Sequence, residues 1–393
     1  MRNRTLTTIT VVLTAGALAL SSCSSSKKKS GGALGGGASS GGAASGQTFK
    51  IGYQGDLSSP NKQLGINEIN AVNLAVDQAT AAGKLKFKLA VNSQDDGGTK
   101  ATAPPSAAKL IQDTQVLGVV GPAFSGPTQA NGTTYAAAGM ALISPSATNE
   151  TLTTSGYKTF HRIVPTDGIE GKATAVYLAK KFAGKSIYVV DDKSTYGQGV
   201  GDVVRKALKD AGIKVDSQSV DQKETNLTTL AAAIANSKDA AMYFAGYYAQ
   251  AGLLAKALNS AGYKGFLISG NGAKDSQFLT TSGPAGNGYY FACGCLDATS
   301  APAAKDFTAA YTAKFKTPPS TYSPEAFDAT NAMIQTYSTC FDKNTMTRAC
   351  VEDAVNNLNY QGITTTVKFQ PSGEVAQATI NLYQAKANKI VLL

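Results

Sequence analysis

Residues 116–144 read VLGVVGPAFSGPTQANGTTYAAAGMALIS, and this stretch decides the fold. Val116 to Val120 is an unbroken apolar run bounded by turn residues, the pattern of a strand buried on both faces. Gly121 and Pro122 end it. Thr128 to Ala138 then suits a helix, and Ala141 to Ser144 is a second short apolar run. A strand, a covering helix and another buried strand form a parallel crossover unit.

The same alternation extends outward. Phe49 to Tyr53 is a short strand, and Ile69, Val72, Val76 and Ala79 recur at helical spacing. Leu85, Phe87, Leu89 and Val91 alternate over Lys84 to Asn92, a strand signal, and Ala107 to Gln112 suits a helix. The pattern restarts after Asp167. Helices are expected at Glu170 to Phe182, Gly199 to Ala211, Leu227 to Asn236 and Gln250 to Ala261. Between them fall strands at Ser186 to Val190, Val215 to Val220, Ala240 to Phe244 and Gly265 to Ser269. After Tyr289 to Phe291, helices follow at Ala303 to Phe315, Pro324 to Cys340 and Arg348 to Leu358. Thr364 to Phe369 and Ala378 to Gln384 read as strands around a Pro371-Ser372-Gly373 turn. Two doubly wound α/β units with an appended helical segment imply that the chain crosses between lobes more than once.

A length of 393 residues, 43% hydrophobic and 16% charged, suits a globular chain of two or three domains. Its first 22 residues read as a signal peptide. Arg2 and Arg4 form a basic start, Leu6 to Leu20 an apolar stretch, and Leu20-Ser21-Ser22-Cys23 a small-residue site. That ending resembles a bacterial lipobox, which implies cleavage before Cys23 and diacylglycerol on its sulfur. Residues 23–48, mostly Ser, Gly, Ala and Lys, are expected to be a disordered tether. Lys27, Lys28 and Lys29 sit where an anionic membrane surface would attract them. The formal charge of +10 includes these three and two arginines. Without them, 31 basic and 26 acidic residues leave +5. No basic run with interleaved aromatics is present, which argues against nucleic acid.

Five cysteines less the lipidated one leave four for an exported protein. Cys340 with Cys350 is the first choice of pairing, which leaves Cys293 with Cys295 across Gly294. No metal is expected, because CxC spacing without nearby His ligands does not make a zinc site.

Catalytic signals are thin. The single histidine, His161, reads as structural. Gly184-Lys185-Ser186 looks like the end of a P-loop, but Ala179 stands where the loop needs its first glycine. No Gly-x-Ser-x-Gly elbow stands between an expected strand and helix. An enzyme is not expected, and no cofactor is implied.

Binding signals are better. In doubly wound sheets a ligand sits beyond the carboxyl ends of the strands. The loops there are rich in glycine, hydroxyls and aromatics: Gly121 to Gln129, Ser144 to Glu150, Ser194 to Gly197, Ala245 to Tyr248 and Ser269 to Gly272. Glycines admit close backbone approach, and a helix N-terminus favours an anion.

These loops carry a resemblance. Val119 to Gln129, Ile143 to Thr148, Asp192 to Gly199 and Ala245 to Tyr247 match, in order and spacing, the branched-chain (Leu/Ile/Val) amino acid-binding family. The resemblance runs from about Phe49 to the C-terminus. It implies a type I periplasmic binding protein fold: two Rossmann-like doubly wound lobes, three interlobe crossovers and a ligand in the cleft. The lobes would be residues 49–166 plus 292–367 and 167–291 plus 368–393. Carried over by motif, Ser125 and Thr148 would hold a ligand carboxylate. The Ser146 carbonyl and the Thr148 hydroxyl would help hold an ammonium, with Phe124 and Ala147 beside them. Tyr196 and Tyr247 would close from the second lobe.

Two positions depart from that pattern. Asn271 stands where an acidic residue usually meets the ligand's ammonium, and Leu64 where an aromatic often occurs. Glu170 or Asp275 would have to supply the missing carboxylate. Otherwise the ligand is an amine-free organic or aromatic acid, or a small amide. The expected protein is a monomeric, lipid-anchored clamp on the outer face of the bacterial cytoplasmic membrane. Its expected partners are a small ligand, the membrane through Cys23 and an ABC permease. The rival reading keeps the clamp and makes it sensory.

Overall fold

A computed structural model describes residues 46–376 and 379–393. The expected signal peptide, Cys23 and nearly all of the expected tether lie outside the described residues; at its far end, Thr48 already belongs to the first strand.

The first half of the chain lays down β1 (Thr48–Gly55), α1 (Lys62–Ala81), β2 (Lys88–Asp95), α2 (Pro104–Gln112), β3 (Val116–Val120), α3 (Ser125–Ala137), β4 (Ala141–Ser144) and β5 (Phe160–Arg162). Their strands form one sheet in the order β2-β1-β3-β4-β5, parallel throughout. β3 and β4 are buried along their whole length, as their uninterrupted apolar sequences require. β2, at the edge, has no buried residue and exposes Lys88, Ser93 and Asp95.

The second unit contains α4 (Asp167–Lys181), β6 (Ser186–Asp191), α5 (Thr195–Asp210), β7 (Lys214–Ser219), α6 (Thr228–Ser237), β8 (Ala241–Ala245), α7 (Tyr248–Ser260), β9 (Phe266–Ser269), α8 (Ser276–Ser282) and β10 (Tyr290–Cys293). The chain then adds α9 (Lys305–Phe315), α10 (Ser323–Asp342), α11 (Arg348–Asn356) and the small ladder β11 (Tyr360–Gln361) with β12 (Thr366–Val367). It ends in β13 (Asn381–Lys386) and β14 (Lys389–Leu392). The second sheet runs β14-β13-β10-β9-β8-β6-β7, with only β13 and β14 antiparallel to their neighbours.

The chain therefore passes between the two sheets three times: after β5, after β10 and after β12. α9, α10 and α11 return to the core of the first sheet. Tyr337 fixes that return. Its hydroxyl accepts from the N–H groups of Leu117 (3.0 Å) and Gly118 (2.8 Å) and donates to the Lys50 carbonyl (2.8 Å). At the first crossing, buried Arg162 makes a two-pronged pair with Glu374, at 2.8 and 2.6 Å, beside the returning chain.

Several boundaries differ from the sequence reading. α3 begins at Ser125, α4 at Asp167 and α5 at Thr195, each earlier than the apolar periodicity indicates. Thr166 and Ser194 cap the latter two, accepting from Ile169 and Gly197 N–H groups. So the expected binding loops after β3 and β6 are largely first turns of helices. β2 starts only at Lys88; Phe87 packs ahead of it between Phe49 and Phe341. β5, α8 and β14 were not legible. β5 is three residues long and contains both His161 and Arg162, which break any apolar pattern. His161 is buried, with Nδ1 3.2 Å from the Leu142 carbonyl and Nε2 3.1 Å from Asn356 Oδ1.

The Sγ atoms of Cys293 and Cys295 lie within bonding distance, and so do those of Cys340 and Cys350, with Cα separations of 5.2 and 5.9 Å.

Candidate functional site

The carboxyl ends of both sheets face one another across a small cavity of about 10 Å³. The first sheet contributes Leu64 from α1, Ala123, Phe124 and Ser125 from the β3–α3 junction, and Ser146 after β4. The second contributes Tyr196 in the first turn of α5, Tyr247 before α7, and Asn271 and Gly272 after β9. Tyr322, at the start of α10, completes the wall. Two glycines are required by this geometry. Gly121 has φ +116°, and a Cβ there would meet the Gln54 carbonyl. A Cβ at Gly272 would come 2.6 Å from the Tyr196 ring, and the Gly272 N–H donates to the Tyr196 hydroxyl at 3.1 Å.

The two sides touch. Phe124 stacks on Tyr247, and Tyr196 lies 5.2 Å from Tyr247, centroid to centroid. The Tyr248 hydroxyl donates to the Pro60 carbonyl (2.9 Å) and accepts from the Gln63 N–H (3.1 Å). Asn149 Nδ2 donates to the Thr195 carbonyl at 2.8 Å.

The residues singled out from sequence divide into those at the wall and those behind it. Leu64, Phe124, Ser125, Ser146, Tyr196, Tyr247 and Asn271 share the cavity. Ala147 is buried in a separate cluster, and its carbonyl accepts from Arg162 Nη1 at 3.1 Å. Thr148 is buried too; its hydroxyl has no hydrogen-bond partner, although it lies near enough to Asp167 to favour that carboxylate's ionised form. Glu170 stands behind Asn271, which donates to both of its oxygens, through N (3.0 Å) and Nδ2 (2.9 Å). This corrects the expectation that Glu170 is a spare carboxylate. Asp275 is not spare either: it accepts from Asn67 and Ser320 side chains and from the Gln277 N–H.

Four side chains escaped the sequence reading. Asp167, the first residue of α4, is fully buried, and neither carboxylate oxygen has a hydrogen-bond partner. Its backbone N–H donates to the Thr148 carbonyl at 2.8 Å. Burial pushes its pKa up to about 7, against the lowering influence of Thr148 and Arg162. Its charge in turn helps to raise the phenols of Tyr196, Tyr243 and Tyr247, after burial itself. The Tyr243 hydroxyl is buried without a partner. Tyr322 holds φ +68°, a left-handed conformation that a bulky side chain adopts only when its surroundings enforce it. Glu68, on α1, is wholly buried; its Oε1 lies 2.6 Å from Ser146 Oγ. Burial pushes its pKa up to about 8.

The arrangement suits binding, not bond-breaking. Polar atoms converge from several strand ends, and apolar walls surround them. Among the described residues, no group of three or more His, Cys, Asp or Glu side chains is placed to hold a metal ion.

Comparison with known proteins agrees. The sequence profile of the family described as periplasmic binding protein matches residues 48–389. A Leu/Ile/Val-binding protein homolog of Brucella melitensis is 25% identical over 351 residues, covering 87% of this chain and 92% of that protein. The crystal structure of the branched-chain amino acid transporter substrate binding protein LivJ from Streptococcus pneumoniae, in complex with isoleucine, superposes with a TM-score of 0.80. It is 25% identical and covers 88% of this chain and 99% of its own. A solute binding protein from R. palustris in complex with benzoate has a TM-score of 0.78 at 21% identity, covering 88% and 95%. The fold, the cleft and these matches lead to one assignment: the chain belongs to the periplasmic binding protein family, as a solute-binding protein and not an enzyme.

Proposed function

We propose that this protein captures a small α-amino acid with an apolar side chain between its lobes and delivers it to an ABC importer. In this reading it is held at the membrane through lipidated Cys23. Residues 49–166 plus 292–367 and residues 167–291 plus 368–393 act as the two lobes.

The observation that carries the amine is Asp167. A buried carboxyl group with only the Thr148 hydroxyl beside it is costly to ionise unless a cationic group joins it. Asp167 would take over the charge that Asn271 lacks. The ligand carboxylate belongs at Ser125 and the first turn of α3, whose N–H groups have no intrahelical acceptor. Leu64, Phe124, Tyr247 and Tyr322 form an apolar wall for the side chain. Binding favours the closed form by the ligand's differential affinity for it.

The test is calorimetric titration with leucine, isoleucine and valine against 4-methylvalerate, the amine-free analogue of leucine, and benzoate. Binding of an amino acid that Asp167→Asn abolishes, with 4-methylvalerate inert, supports the reading. A second reading, an amine-free acid, draws on Asn271, whose amide is turned to Glu170, and on the benzoate-bound neighbour. Tight binding of benzoate or 4-methylvalerate, unaffected by Asp167→Asn, would establish it.

A further inference from the structure

Ser146 Oγ lies 2.6 Å from Glu68 Oε1 and 2.6 Å from the Ala123 carbonyl oxygen. Both are short contacts between oxygens, and each needs a proton in it. A serine hydroxyl has one. An ionised Glu68 would accept that proton and leave Ser146 Oγ and the Ala123 oxygen facing each other lone pair to lone pair. The contacts are all satisfied when Glu68 is a neutral acid: Oε1–H donates to Ser146 Oγ, and Ser146 Oγ–H donates to Ala123. The longer contact agrees. Glu68 Oε2 is 3.2 Å from the Tyr53 hydroxyl, which also reaches the Gly65 carbonyl at 3.0 Å.

We propose that Glu68 is a positioning residue whose carboxylic acid proton fastens together the two strand-exit segments of the binding face. The relay runs from α1 through the segment after β4 to the segment after β3. Both Ser146 and Ala123 line the cavity, so breaking the relay moves two walls at once. The environment supports a neutral acid. Apart from Ser146, the titratable groups acting on Glu68 are Tyr53 from β1, Asp96 from the segment after β2 and Glu325 from α10, and none of them is a cation. Burial is the largest influence, and the carboxylates of Asp96 and Glu325 add to it.

This inference rests on the cleft being the ligand site, so it needs one readout with a ligand and one without. For the first, leucine affinity is measured from pH 6 to 9 in the wild type and in Glu68→Gln. The glutamine amide can donate to Ser146 and cannot ionise. The two proteins should bind equally at pH 6. The wild type should then weaken, by up to ~tenfold relative to the variant, which is the loss of one buried hydrogen bond. A wild-type affinity that stays equal to or rises above that of the variant through pH 9 overturns the proposal.

The second readout is infrared pH titration of protein labelled with ¹³C-glutamate. The protonated-carboxyl absorption at pH 6, to which Glu170 and Glu325 also contribute, should lose one component in Glu68→Gln, and that component should shift in Ser146→Ala, which removes the acceptor. An unshifted band in Ser146→Ala, or no Glu68 band at pH 6, refutes the proton relay whether or not leucine binds. If leucine fails to bind but the band behaves as described, the ligand reading fails and the relay stands.

Discussion

Phe124 of the first lobe stacks on Tyr247 of the second, with ring centroids 4.6 Å apart and planes 28° from parallel. The pair bridges the mouth of the cleft, so it exists only when the lobes meet. It therefore belongs to the closed state and not to an open one. Phe124→Leu keeps an apolar side chain and loses the stacking, worth about 0.5–1.5 kcal/mol. The expected result is a ligand dissociation constant raised roughly two- to tenfold, mostly through faster release, with the unfolding temperature of ligand-free protein little changed. Stopped-flow dissociation alongside calorimetry measures both.

Asp167 gives amino-acid binding a pH signature. Its ordinary range is that of an exposed carboxylate, and burial pushes it up to about 7. An ammonium favours the ionised form, so binding should release a proton below neutrality and tighten as pH rises from 6 to 8. Binding enthalpy measured in buffers of different ionisation enthalpy reports that proton. In Asp167→Asn the pH dependence and the proton release should both vanish, while an amine-free acid should show neither in the wild type.

Stability should run the other way. Burial raises Glu68 and Glu170 to about 8, Asp96, Asp167 and Glu325 to about 7, and Asp192 to about 6. Each folded value lies above its unfolded one. The stability these groups contribute is thus fully present below about pH 4 and is lost as pH rises through 6 to 8. Unfolding temperature should fall between pH 5.5 and 8.5, and Glu68→Gln should flatten part of that fall. A Tm that climbs steadily to pH 8.5 would contradict it.

The cysteine pairs make a chemical prediction. Without reductant, thiol titration of the unfolded mature protein should find no free thiol among Cys293, Cys295, Cys340 and Cys350. Removing the 340–350 link by Cys340→Ala with Cys350→Ala should destabilise the fold by about 2–3 kcal/mol, as expected for a loop of this length. Tm, read by calorimetry, should drop by several degrees.

Cys23→Ala should move the protein from the membrane fraction to the medium. Fractionation of cells expressing each form decides it, and a variant that stays with the membrane would exclude the lipid anchor.

Much of this molecule is written in local pattern. The apolar runs of β3, β4, β6 and β8 and the alternation that marks β2 follow from side-chain periodicity. Those signals survive without knowledge of the partner strand. The glycine- and hydroxyl-rich strand exits marked the cleft for the same reason: a turn that lets a ligand approach its backbone needs particular residues. What the tertiary structure alone decided is which polar side chains are buried and what each one faces. Glu68 lies beside Asn67 on α1, and in sequence the two look like the wet face of a helix. Asp167 reads as an ordinary first-turn acid, favourable to any helix. Tyr322 shows its strained backbone only once α10 is docked. Glu170 looked like a charge waiting for a ligand until Asn271, 101 residues away, was found on both its oxygens. Residue type states what a carboxylate can do. Only the packing of distant segments settles whether it meets water, a donor or nothing, and so whether it serves the fold or the ligand.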